Sequence, residues 1–411
     1  MKTYLVGGAV RDQLLKYPIK DKDYLVTGAT IAEMEANGFN QVGKSFPVFL
    51  HPKTQDEYAL ARTEKKSGSG YTGFVCDFSP DISVEQDLER RDLTVNAMAK
   101  AEDGTIIDPF NGQQDVKDKI LRHVSPAFVE DPLRVLRVAK FAARYHHLGF
   151  TVASETQLLM KTMVETGELD ALIPERIWQE MSSALNEQSP SVFFNVLRDC
   201  GALALLMPEI AALWGVPNPE KWHPEIDTGI HTMLVVDQSA KLSKSPVTRF
   251  AALVHDFGKG LTPESMWPHH RGHEKTGLTP LKAFCTRLKV PNEYKELALL
   301  MCEYHTHTHR AYELRADTIV KLFDKMDAWR KPERFSQFLL ACTADMRGRT
   351  GFEERDYPQA DYLAECLVLG GEVNVQDVIA EGYQGPEIRT RLTERRVATI
   401  NAYKKTVSEQ T

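Results

Sequence analysis

The feature that most constrains the fold of this chain is a glycine pair near the amino terminus, followed by two closely spaced aspartates. Residues 3–6 are β-prone and are interrupted by Gly7 and Gly8, so a strand is predicted to end in a tight turn from which a helix begins. Backbone amides at such a turn suit a phosphate group. Asp21 and Asp23 lie two residues apart in a run that regains β-type composition, and residues i and i+2 share one face of a strand. Two carboxylates on one face predict a site for two Mg²⁺ ions.

The hydrophobic pattern predicts a mixed head followed by helices. Up to about residue 115, β-prone runs alternate with short helical ones, which predicts an α/β or α+β head. The strand candidates are residues 3–6, 24–26, 48–51, 58–61 and 106–108. Beyond Lys117, apolar residues recur at three- and four-residue steps, as in 133–142, 158–172 and 192–206, which predicts an all-helical remainder. Four prolines between 208 and 224 predict a boundary before a new helical module near Asp227.

Composition narrows the class of protein. A chain of 411 residues with 42% hydrophobic residues should fold as roughly two to four domains. The first apolar run ends at Arg11, which is too early for a signal peptide or a membrane span, so we expect a cytoplasmic protein with no membrane contact. The six cysteines are scattered without a C-x-x-C pair, which predicts reduced, mostly buried thiols.

The charge balance bears on nucleic-acid binding. The net charge of −7 argues against a protein that coats nucleic acid nonspecifically, so any RNA contact must come from a local basic surface. Residues 117–144 contain seven Lys or Arg against three acids. A further run, residues 64–73, is rich in glycine and serine and predicts a mobile loop of the kind that closes over a substrate.

Several head residues suit phosphoryl transfer. This reaction needs metal ions that bridge the attacking and leaving oxygens, and cations on the phosphates. Asp21 and Asp23 would ligate the metals, Gly8 would approach the phosphates and Arg11 would add positive charge. Alone, a D-x-D pair is more often a solvated strand face, but the preceding glycine turn favours the metal site.

Two arginines and one glutamate extend this set. Arg90 and Arg91 precede a predicted amphipathic helix, and a guanidinium binds phosphate through two parallel hydrogen bonds. An ion pair with Glu89 or Asp92 is the alternative. Glu64 is either a third carboxylate for a metal or for activating the hydroxyl, or the partner of a neighbouring basic residue.

A second concentration of chemistry lies in the histidines, nine of which, out of thirteen, fall between residues 223 and 309. His231 lies in a helical pattern, and the adjacent pair His255 and Asp256 ends another apolar run before a glycine. Such a pair can offer two ligands to one metal, and His305 and Asp345 are candidates to complete the site. Three more histidines, in a loop with proline and glycine, line a pocket or are exposed: His269, His270 and His273.

These motifs together resemble the class II CCA-adding tRNA nucleotidyltransferases, in particular the bacterial members with an additional HD phosphohydrolase domain. The matching runs, which occur in the family's order, are residues 7–12 with 20–23, 90–97, 108–112 and 130–137. The resemblance implies a multi-domain α+β protein: a polymerase-β-like head with a mixed sheet (1–120), an all-α neck with the base-selection motif (121–210), an all-α HD domain (220–335) and a C-terminal helical segment (336–411). The implied activity is template-independent addition and repair of the 3′-terminal CCA of tRNA with Mg²⁺. ATP and CTP would be held by Gly8, Arg11 and Arg91.

The base-selection motif explains how two different bases are accepted without a template. Cytosine and adenine each present an amine donor and a ring-nitrogen acceptor, so an Asp131 oxygen and the Arg134 guanidinium would recognise both, whereas guanine and uracil present the wrong pattern. These two residues are neighbours on a helix surface. Arg137 and Lys140 continue in steps of three towards the triphosphate, although Lys140 stands where close relatives have an arginine. The alternative is that Asp131, which precedes a proline, is simply a helix cap.

The HD resemblance implies a second activity. His255 and Asp256, with His231, His305 and Asp345, would hold a transition metal such as Ni²⁺ for 2′,3′-cyclic phosphodiesterase, 2′-nucleotidase and phosphatase reactions on tRNA ends. Thr306 stands where the family has an acid, and His307 and His309 are candidates to compensate. The alternative is a metal site that has decayed in a tRNA-docking domain.

Two other functions remain open at this stage. A bacterial poly(A) polymerase shares the head motifs, but tends to carry a basic tail. An HD-type nucleotide hydrolase with a non-catalytic RNA-binding head is the rival from another class. The acidic balance and the HD signature favour CCA addition by a monomer or homodimer.

Overall fold

A computed structural model of the chain describes residues 1–19, 21–42, 47–66 and 74–410, without the side chains of residues 65, 66, 74, 75 and 410. Lys20 and most of the predicted mobile loop at 64–73 therefore lie outside the described residues. The chain forms two compact units. One comprises Met1–Ala184 with Val192–Leu205, and the other comprises Leu185–Ser191 with Leu206–Thr411.

The first unit contains the β-structure of the described residues. The strands are β1 (Lys2–Val6), β2 (Asp23–Thr27), β3 (Asn40–Val42), β4 (Val48–Leu50), β5 (Glu57–Leu60), β6 (Thr63–Lys66), β7 (Phe74–Asp77), β8 (Ala99–Lys100), β9 (Ile106–Ile107), β10 (Ile120–Leu121) and β11 (Thr151–Val152). Seven of them form one sheet in the order β3-β4-β5-β2-β1-β8-β9. Within it β2 and β5 are parallel, and the other neighbours are antiparallel. The predicted mixed sheet and its five candidate strands are thus confirmed.

The register of β1 against β2 positions the two motifs identified first. Val6 lies opposite Asp23, so the glycine turn that follows Val6 and the carboxylate at the start of β2 emerge at the same edge of the sheet. Val6 and Leu25 are both buried in a cluster that also contains Leu88 and Ala97. The core beneath the sheet therefore fixes both motifs relative to each other.

Helices surround the sheet and continue into the neck. They are α1 (Gly8–Leu14), α2 (Ile31–Ala36), α3 (Val84–Glu89), α4 (Gly112–Asp118), α5 (Leu133–Tyr145), α6 (Ser154–Glu165), α7 (Pro174–Leu185), α8 (Ser191–Asp199) and α9 (Ala202–Leu206). The apolar periodicity at 133–142, 158–172 and 192–206 correctly predicts α5, α6, α8 and α9. The amphipathic helix predicted after Arg91 is wrong, because the chain there makes only a 3-10 turn at Thr94–Asn96. Leu93, Val95 and residues 97–99 are all fully buried, so this segment has no solvent face.

The second unit is built from helices joined by turns and loops, and its described residues form no strand beyond an isolated bridge between Pro217 and Asp227. Its helices are α10 (Pro208–Ala211), α11 (Thr228–Leu242), α12 (Pro246–Val254), α13 (His273–Thr276), α14 (Leu278–Arg287), α15 (Asn292–His309), α16 (Ala316–Lys325), α17 (Pro332–Arg347), α18 (Pro358–Gly371), α19 (Val375–Ala380) and α20 (Pro386–Gln410). The helical module predicted near Asp227 begins as expected, since the Asp227 side chain accepts a hydrogen bond from the amide of Ile230 and caps α11. Helices α11, α12, α15 and α17 pack on one another and enclose the histidine cluster.

Two further expectations concern the chain as a whole. The six cysteines are free and five of them are buried, as predicted. Among the helices that the structure describes, none combines the length and the apolar character needed to cross a membrane.

Candidate active sites

A cavity of about 710 Å³ in the first unit gathers the predicted nucleotide- and metal-directed residues. Its lining comes from positions between Val6 and Arg176 in the sequence. It includes the glycine turn, both aspartates of the D-x-D pair, the two base-selection candidates and several arginines: Gly7, Gly8, Arg11, Asp21, Asp23, Arg91, Asp131, Arg134 and Arg137. Of the predicted nucleotide-binding residues, Lys140 is the one absent from this lining.

The glycine turn brings an arginine close to the start of α1. Gly7 has φ +68°, and a Cβ atom at this position would lie 2.9 Å from Nη1 of Arg91. A residue with a side chain would therefore be strained and would displace the guanidinium. The glycine makes room for Arg91 beside the turn.

The two aspartates form a compact acidic pair. Asp23 is the first residue of β2 and Asp21 lies just before the strand, and both line the cavity. Burial raises the pKa of Asp23 and the Asp21 carboxylate raises it further, while Arg91 acts in the opposite direction. The mutual repulsion of two carboxylates is what a divalent cation relieves, so these residues fit Mg²⁺ ligation.

Asp87 anchors the arginine segment, and the sequence analysis missed it. This carboxylate is fully buried and accepts hydrogen bonds from Arg90 Nη2 at 2.6 Å and Arg91 Nη2 at 3.1 Å. Although burial acts to raise it, the Arg91 and Arg90 guanidiniums hold the pKa of Asp87 below its ordinary value. The i,i+3 and i,i+4 spacing from Asp87 was the available signal. The ion-pair alternative is therefore observed for both arginines, with Asp87 instead of Glu89 or Asp92.

Glu64 is engaged in the same network. Its Oε1 accepts hydrogen bonds from Arg62 Nε at 2.8 Å and from Arg90 Nη1 at 3.0 Å. The pairing expected as the alternative to a metal ligand is thus present.

Arg11 lies in the wall of the cavity with little freedom. Its Nε donates to Asp12 Oδ1 at 2.8 Å, its Nη1 contacts Asn96, and its guanidinium lies 4.7 Å from the ring centroid of Tyr145. The Tyr145 hydroxyl in turn donates to Asp12 Oδ1 at 2.9 Å. These contacts hold the charge at a fixed position.

Asp131 and Arg134 lie at the start of α5 and are both held by protein groups. Asp131 Oδ1 accepts from the amide of Leu133 at 3.0 Å, as in the capping alternative, whereas its Oδ2 lies 3.7 Å from Arg176 Nη2. Arg134 is only 6% exposed, and it donates to the carbonyls of Ala127 at 2.7 Å and Arg90 at 2.6 Å. Burial lowers the pKa of Arg134. One oxygen of Asp131 is therefore committed to the helix end, and the other faces an arginine.

The remaining basic residues of α5 have acidic partners. Arg137 Nε donates to Asp92 Oδ2 at 2.7 Å, and the Asp92 carboxylate raises the pKa of Arg137. Lys140 Nζ lies 2.7 Å from Glu180 Oε2. A nucleotide contact by Lys140 requires that this ion pair open.

The second unit brings all five predicted metal ligands together, in two adjoining groups. In the first, His231 Nε2 and His255 Nε2 lie 3.1 and 3.7 Å from Asp345 Oδ1. In the second, Asp256 and His305 are joined by His273. Every one of these six side chains is buried.

The donor set fits a divalent metal ion. His255 Nδ1 is 2.7 Å from the carbonyl oxygen of Ala252 and donates its proton there, so Nε2 carries the lone pair. This Nε2 atom and Asp256 Oδ1 are buried without a hydrogen-bond partner among the described residues. Imidazole nitrogens beside ionised carboxylates are ligands that transition metals prefer.

Three residues contact the ligands from outside, and of these the sequence analysis named only His309, as a candidate to compensate for Thr306. Glu225 Oε1 lies 2.9 Å from Nδ1 of His231. His309 Nε2 lies 2.7 Å from Asp345 Oδ2, and the Tyr357 hydroxyl lies 2.7 Å from Nδ1 of the same imidazole. Because Nε2 of a neutral His309 donates to the carboxylate, Nδ1 accepts from the tyrosine. Such outer contacts orient metal ligands.

Two other side chains near this centre contact acidic groups. Thr306 donates its hydroxyl to Glu274 Oε1 at 3.1 Å. Lys259 Nζ lies 2.7 Å from Asp256 Oδ2. The position of Lys259, three residues after Asp256, was the signal that could have found it.

Comparison with family models defines the class. Residues 3–122 match the Poly A polymerase head domain, residues 149–213 match the probable RNA and SrmB-binding site of polymerase A, and residues 228–329 match the HD domain. The cavity residues up to Asn96 thus lie in a Poly A polymerase head domain, and the members of the histidine centre other than Asp345 lie in an HD domain.

Curated relatives define the family. The multifunctional CCA protein of Shewanella frigidimarina (strain NCIMB 400) is 61% identical over 98% of each chain. That of Pseudoalteromonas atlantica (strain T6c / ATCC BAA-1087) is 60% identical over 97% of this chain and 99% of its own. The chain therefore belongs to the multifunctional CCA protein family and is an enzyme.

Solved structures agree on the fold. The CCA-adding enzyme of Bacillus stearothermophilus in complex with CTP has a TM-score of 0.63 at 23% identity and covers 98% of this chain and 89% of its own. The Thermotoga maritima CCA-adding enzyme complexed with tRNA_CCA has a TM-score of 0.63 at 19% identity and covers 98% and 87%. The predicted succession of mixed-sheet head, helical neck and HD domain is confirmed.

Proposed function

We propose that the first unit adds and repairs the 3′-terminal CCA of tRNA, using CTP and ATP without a nucleic-acid template. The observation that carries this proposal is the single cavity in which metal-, phosphate- and base-directed residues from positions 7 to 137 meet. The family of named CCA proteins supports the same activity.

The cavity residues divide by role. Asp21 and Asp23 would hold Mg²⁺, which when bound would activate the tRNA 3′-hydroxyl and neutralise the leaving pyrophosphate. Gly8, Arg11 and Arg91 bind the triphosphate. The Asp87 carboxylate fixes the direction of Arg91, so the guanidinium meets the nucleotide without having to be ordered first.

Base selection falls to the start of α5. Asp131 has one oxygen left after capping the helix, and this Oδ2 would accept from the exocyclic amine of cytosine or adenine. Arg134 would donate to the ring nitrogen, while its bonds to two backbone carbonyls keep the guanidinium in one plane. Arg137 supports this edge of the site, and Lys140 joins it only if its pair with Glu180 opens.

The second unit carries the hydrolytic activity in this proposal. A transition metal such as Ni²⁺ would be held by His231, His255, Asp256, His305 and Asp345, and when bound it would supply a hydroxide for attack on phosphorus. His255 and Asp256 are the catalytic pair. The substrates are 2′,3′-cyclic phosphates, 2′-phosphates and phosphate monoesters at tRNA ends.

The proposed division of the chain follows these roles. Nucleotidyl transfer belongs to residues 1–120 and base selection to 121–210. The HD domain at 220–335 is completed by the segment 336–411, which contributes Asp345. We propose that the chain acts in the cytoplasm, where tRNA is matured, and that it binds tRNA as a monomer or homodimer.

Incorporation of labelled CTP and ATP into tRNA that lacks one, two or three 3′ nucleotides tests the first activity. Asp21→Asn and Asp23→Asn should abolish incorporation, whereas Asp81→Asn, at an exposed aspartate of the head, should not. Retained incorporation in both active-site variants would refute the assignment. Failure of the wild-type chain with Mg²⁺ would instead favour a non-catalytic RNA-binding head.

Hydrolysis of a 2′,3′-cyclic phosphate tests the second activity. His255→Ala and Asp256→Ala should lose it and keep CCA addition, and hydrolysis that persists in both variants would place the site elsewhere.

Poly(A) polymerase remains the second candidate, because two family models carry polymerase A descriptions. Product length separates the two functions. Growth of the tRNA by at most three nucleotides supports CCA addition, and a long adenylate tail supports the polymerase.

A further inference from the structure

We propose that Arg144 binds the terminal phosphate of the incoming CTP or ATP, and that this contact makes the head prefer a nucleoside triphosphate to a diphosphate. The inference rests on the proposed nucleotidyl transfer in the first unit and adds one residue to its substrate site. Arg144 lies in the last turn of α5, whereas the base-directed Asp131 and Arg134 lie at the start of this helix.

One face of α5 connects these two ends. Four residues of the helix line the cavity and follow one another at steps of three, four and three, which places them on one side: Arg134, Arg137, Phe141 and Arg144. Ten residues of α-helix separate the first from the last, a rise of about 15 Å. This rise is comparable to the extended length of a nucleoside triphosphate. A nucleotide whose base is read at Arg134 therefore brings its last phosphate towards Arg144.

The far end of this face adjoins a residue already proposed to bind the phosphates. The Arg144 guanidinium lies 5.4 Å from the ring centroid of Tyr145, and the Arg11 guanidinium lies 4.7 Å from the same centroid. Asp12 faces both cations, with its Oδ1 2.8 Å from Arg11 Nε and its Oδ2 3.8 Å from Arg144 Nη2. One carboxylate is thus shared by two guanidiniums. Among these three charged groups, one positive charge is left to attract an anion.

The hydrogen-bonding groups of Arg144 are left for a ligand. Arg11 and Arg137 donate to carboxylates at 2.8 and 2.7 Å, whereas the 3.8 Å between Arg144 and Asp12 is too long for a hydrogen bond. The side chain of Arg144 is 20% exposed and lines the cavity. A phosphate in the cavity can therefore bind this guanidinium without first breaking a hydrogen bond to a carboxylate.

Two aromatic rings fix the position of the Arg144 guanidinium. Tyr17 and Tyr145 pack edge to face with their centroids 5.9 Å apart, and the guanidinium lies 5.9 Å from the first centroid and 5.4 Å from the second. A cation–π contact engages the ring faces and leaves the N–H groups of the cation free. The guanidinium is thus held in place and can donate two parallel hydrogen bonds to one phosphate.

Binding of CTP and of CDP to the full chain, with Mg²⁺ and without tRNA, tests the proposal because the two nucleotides differ only in the terminal phosphate. In calorimetric titration, Arg144→Gln should weaken CTP binding by about tenfold or more and CDP binding by less than about twofold. Arg144→Met should give the same result, since it keeps an apolar stem between the two rings but lacks the charge. Arg198→Gln, at an exposed arginine of α8 outside the cavity lining, should leave both affinities unchanged.

Thermal melting identifies a variant that fails to fold, and the other variant then decides. Equal losses for CTP and CDP in a folded variant, an unchanged CTP affinity, or a wild-type chain that binds CTP and CDP equally overturns the inference. Weaker binding of truncated tRNA with an unchanged CTP-to-CDP ratio also overturns it, and would assign Arg144 to the RNA backbone. Absence of any CTP binding by the wild-type chain would refute the proposed nucleotidyl transfer, and this inference with it.

Discussion

Replacement of Asp131 by asparagine separates base reading from helix capping at the start of α5. The asparagine side-chain oxygen can still accept the hydrogen bond that Asp131 Oδ1 takes from the Leu133 amide. Its amide nitrogen, however, donates where the second carboxylate oxygen accepted. Asp131→Asn should therefore keep the helix end and lose the acceptor for the amine of cytosine and adenine.

The structure gives a magnitude for each effect. A base-directed hydrogen-bond pair is worth about 1–3 kcal/mol of discrimination, which is roughly a 5- to 150-fold change in relative kcat/KM. The retained cap leaves the free energy of unfolding within about 0.5 kcal/mol of the parent. Arg134→Ala should behave differently, because it removes two hydrogen bonds from a buried guanidinium to the carbonyls of Ala127 and Arg90. Loss of bonds to a charged group there should cost about 2–4 kcal/mol.

The assay is single-nucleotide incorporation of CTP, ATP, UTP and GTP into truncated tRNA, paired with urea unfolding. We expect Asp131→Asn to lower the ratio of CTP to UTP utilisation at unchanged stability, and Arg134→Lys, which keeps the charge but not the fork, to lower selectivity with a smaller loss of stability than Arg134→Ala. An unchanged CTP to UTP ratio in Asp131→Asn would refute the base-reading role and leave capping as its whole function.

Three further expectations follow from other contacts. Asp87→Asn weakens the anchor of Arg91, which is proposed to bind the triphosphate, and should raise the KM for CTP by about tenfold, measured by steady-state incorporation. An unchanged KM would show that Arg91 needs no anchor. Burial and the adjacent Arg122 lower the pKa of His123 from its ordinary 6.5, so the unfolded chain takes up a proton before the folded one and stability should fall as the pH drops below about 6.5. His123→Gln should flatten that part of the pH dependence in urea unfolding, and an equal slope would contradict the cause given. Tyr357→Phe removes the hydroxyl that donates to His309, and should weaken Mn²⁺ binding to the histidine centre by about tenfold in calorimetric titration without changing CCA addition; unchanged affinity would argue against an orienting role.

Much of the architecture follows from local sequence. The five candidate strands and the main neck helices are visible because alternation and three- to four-residue periodicity are properties of short windows. The helix expected after Arg91 fails for the same reason, since apolar residues at 93–99 fit helical spacing although all faces of this segment are buried. Whether a segment is buried on every side depends on contacts with residues that are distant in the sequence, and a short stretch of sequence does not contain that information.

The sites show the same division. The residues of the D-x-D pair, of the glycine turn and of the His255-Asp256 dipeptide each lie within a few positions of one another in the sequence. Their chemistry can therefore be inferred directly. The partners Glu225, His273 and Tyr357 are separated from what they orient or complete by turns, loops or whole helices, whereas Asp87 lies only three and four residues before the arginines that it anchors. A buried carboxylate or imidazole of this kind is recognised only when its hydrogen bonds are seen.

The bond from the Arg134 guanidinium to the carbonyl of Arg90, 2.6 Å long, joins the residue proposed to read the base to the segment proposed to grip the phosphates. A displacement of Arg134 therefore displaces the segment around Arg90, and the reverse also holds. Binding of the base and binding of the triphosphate are thus thermodynamically linked, and each changes the affinity of the other by the same factor. A nucleotide with the wrong base should therefore be held less firmly at its triphosphate as well. Discrimination at the base would then appear in the chemical step, at the far end of the substrate.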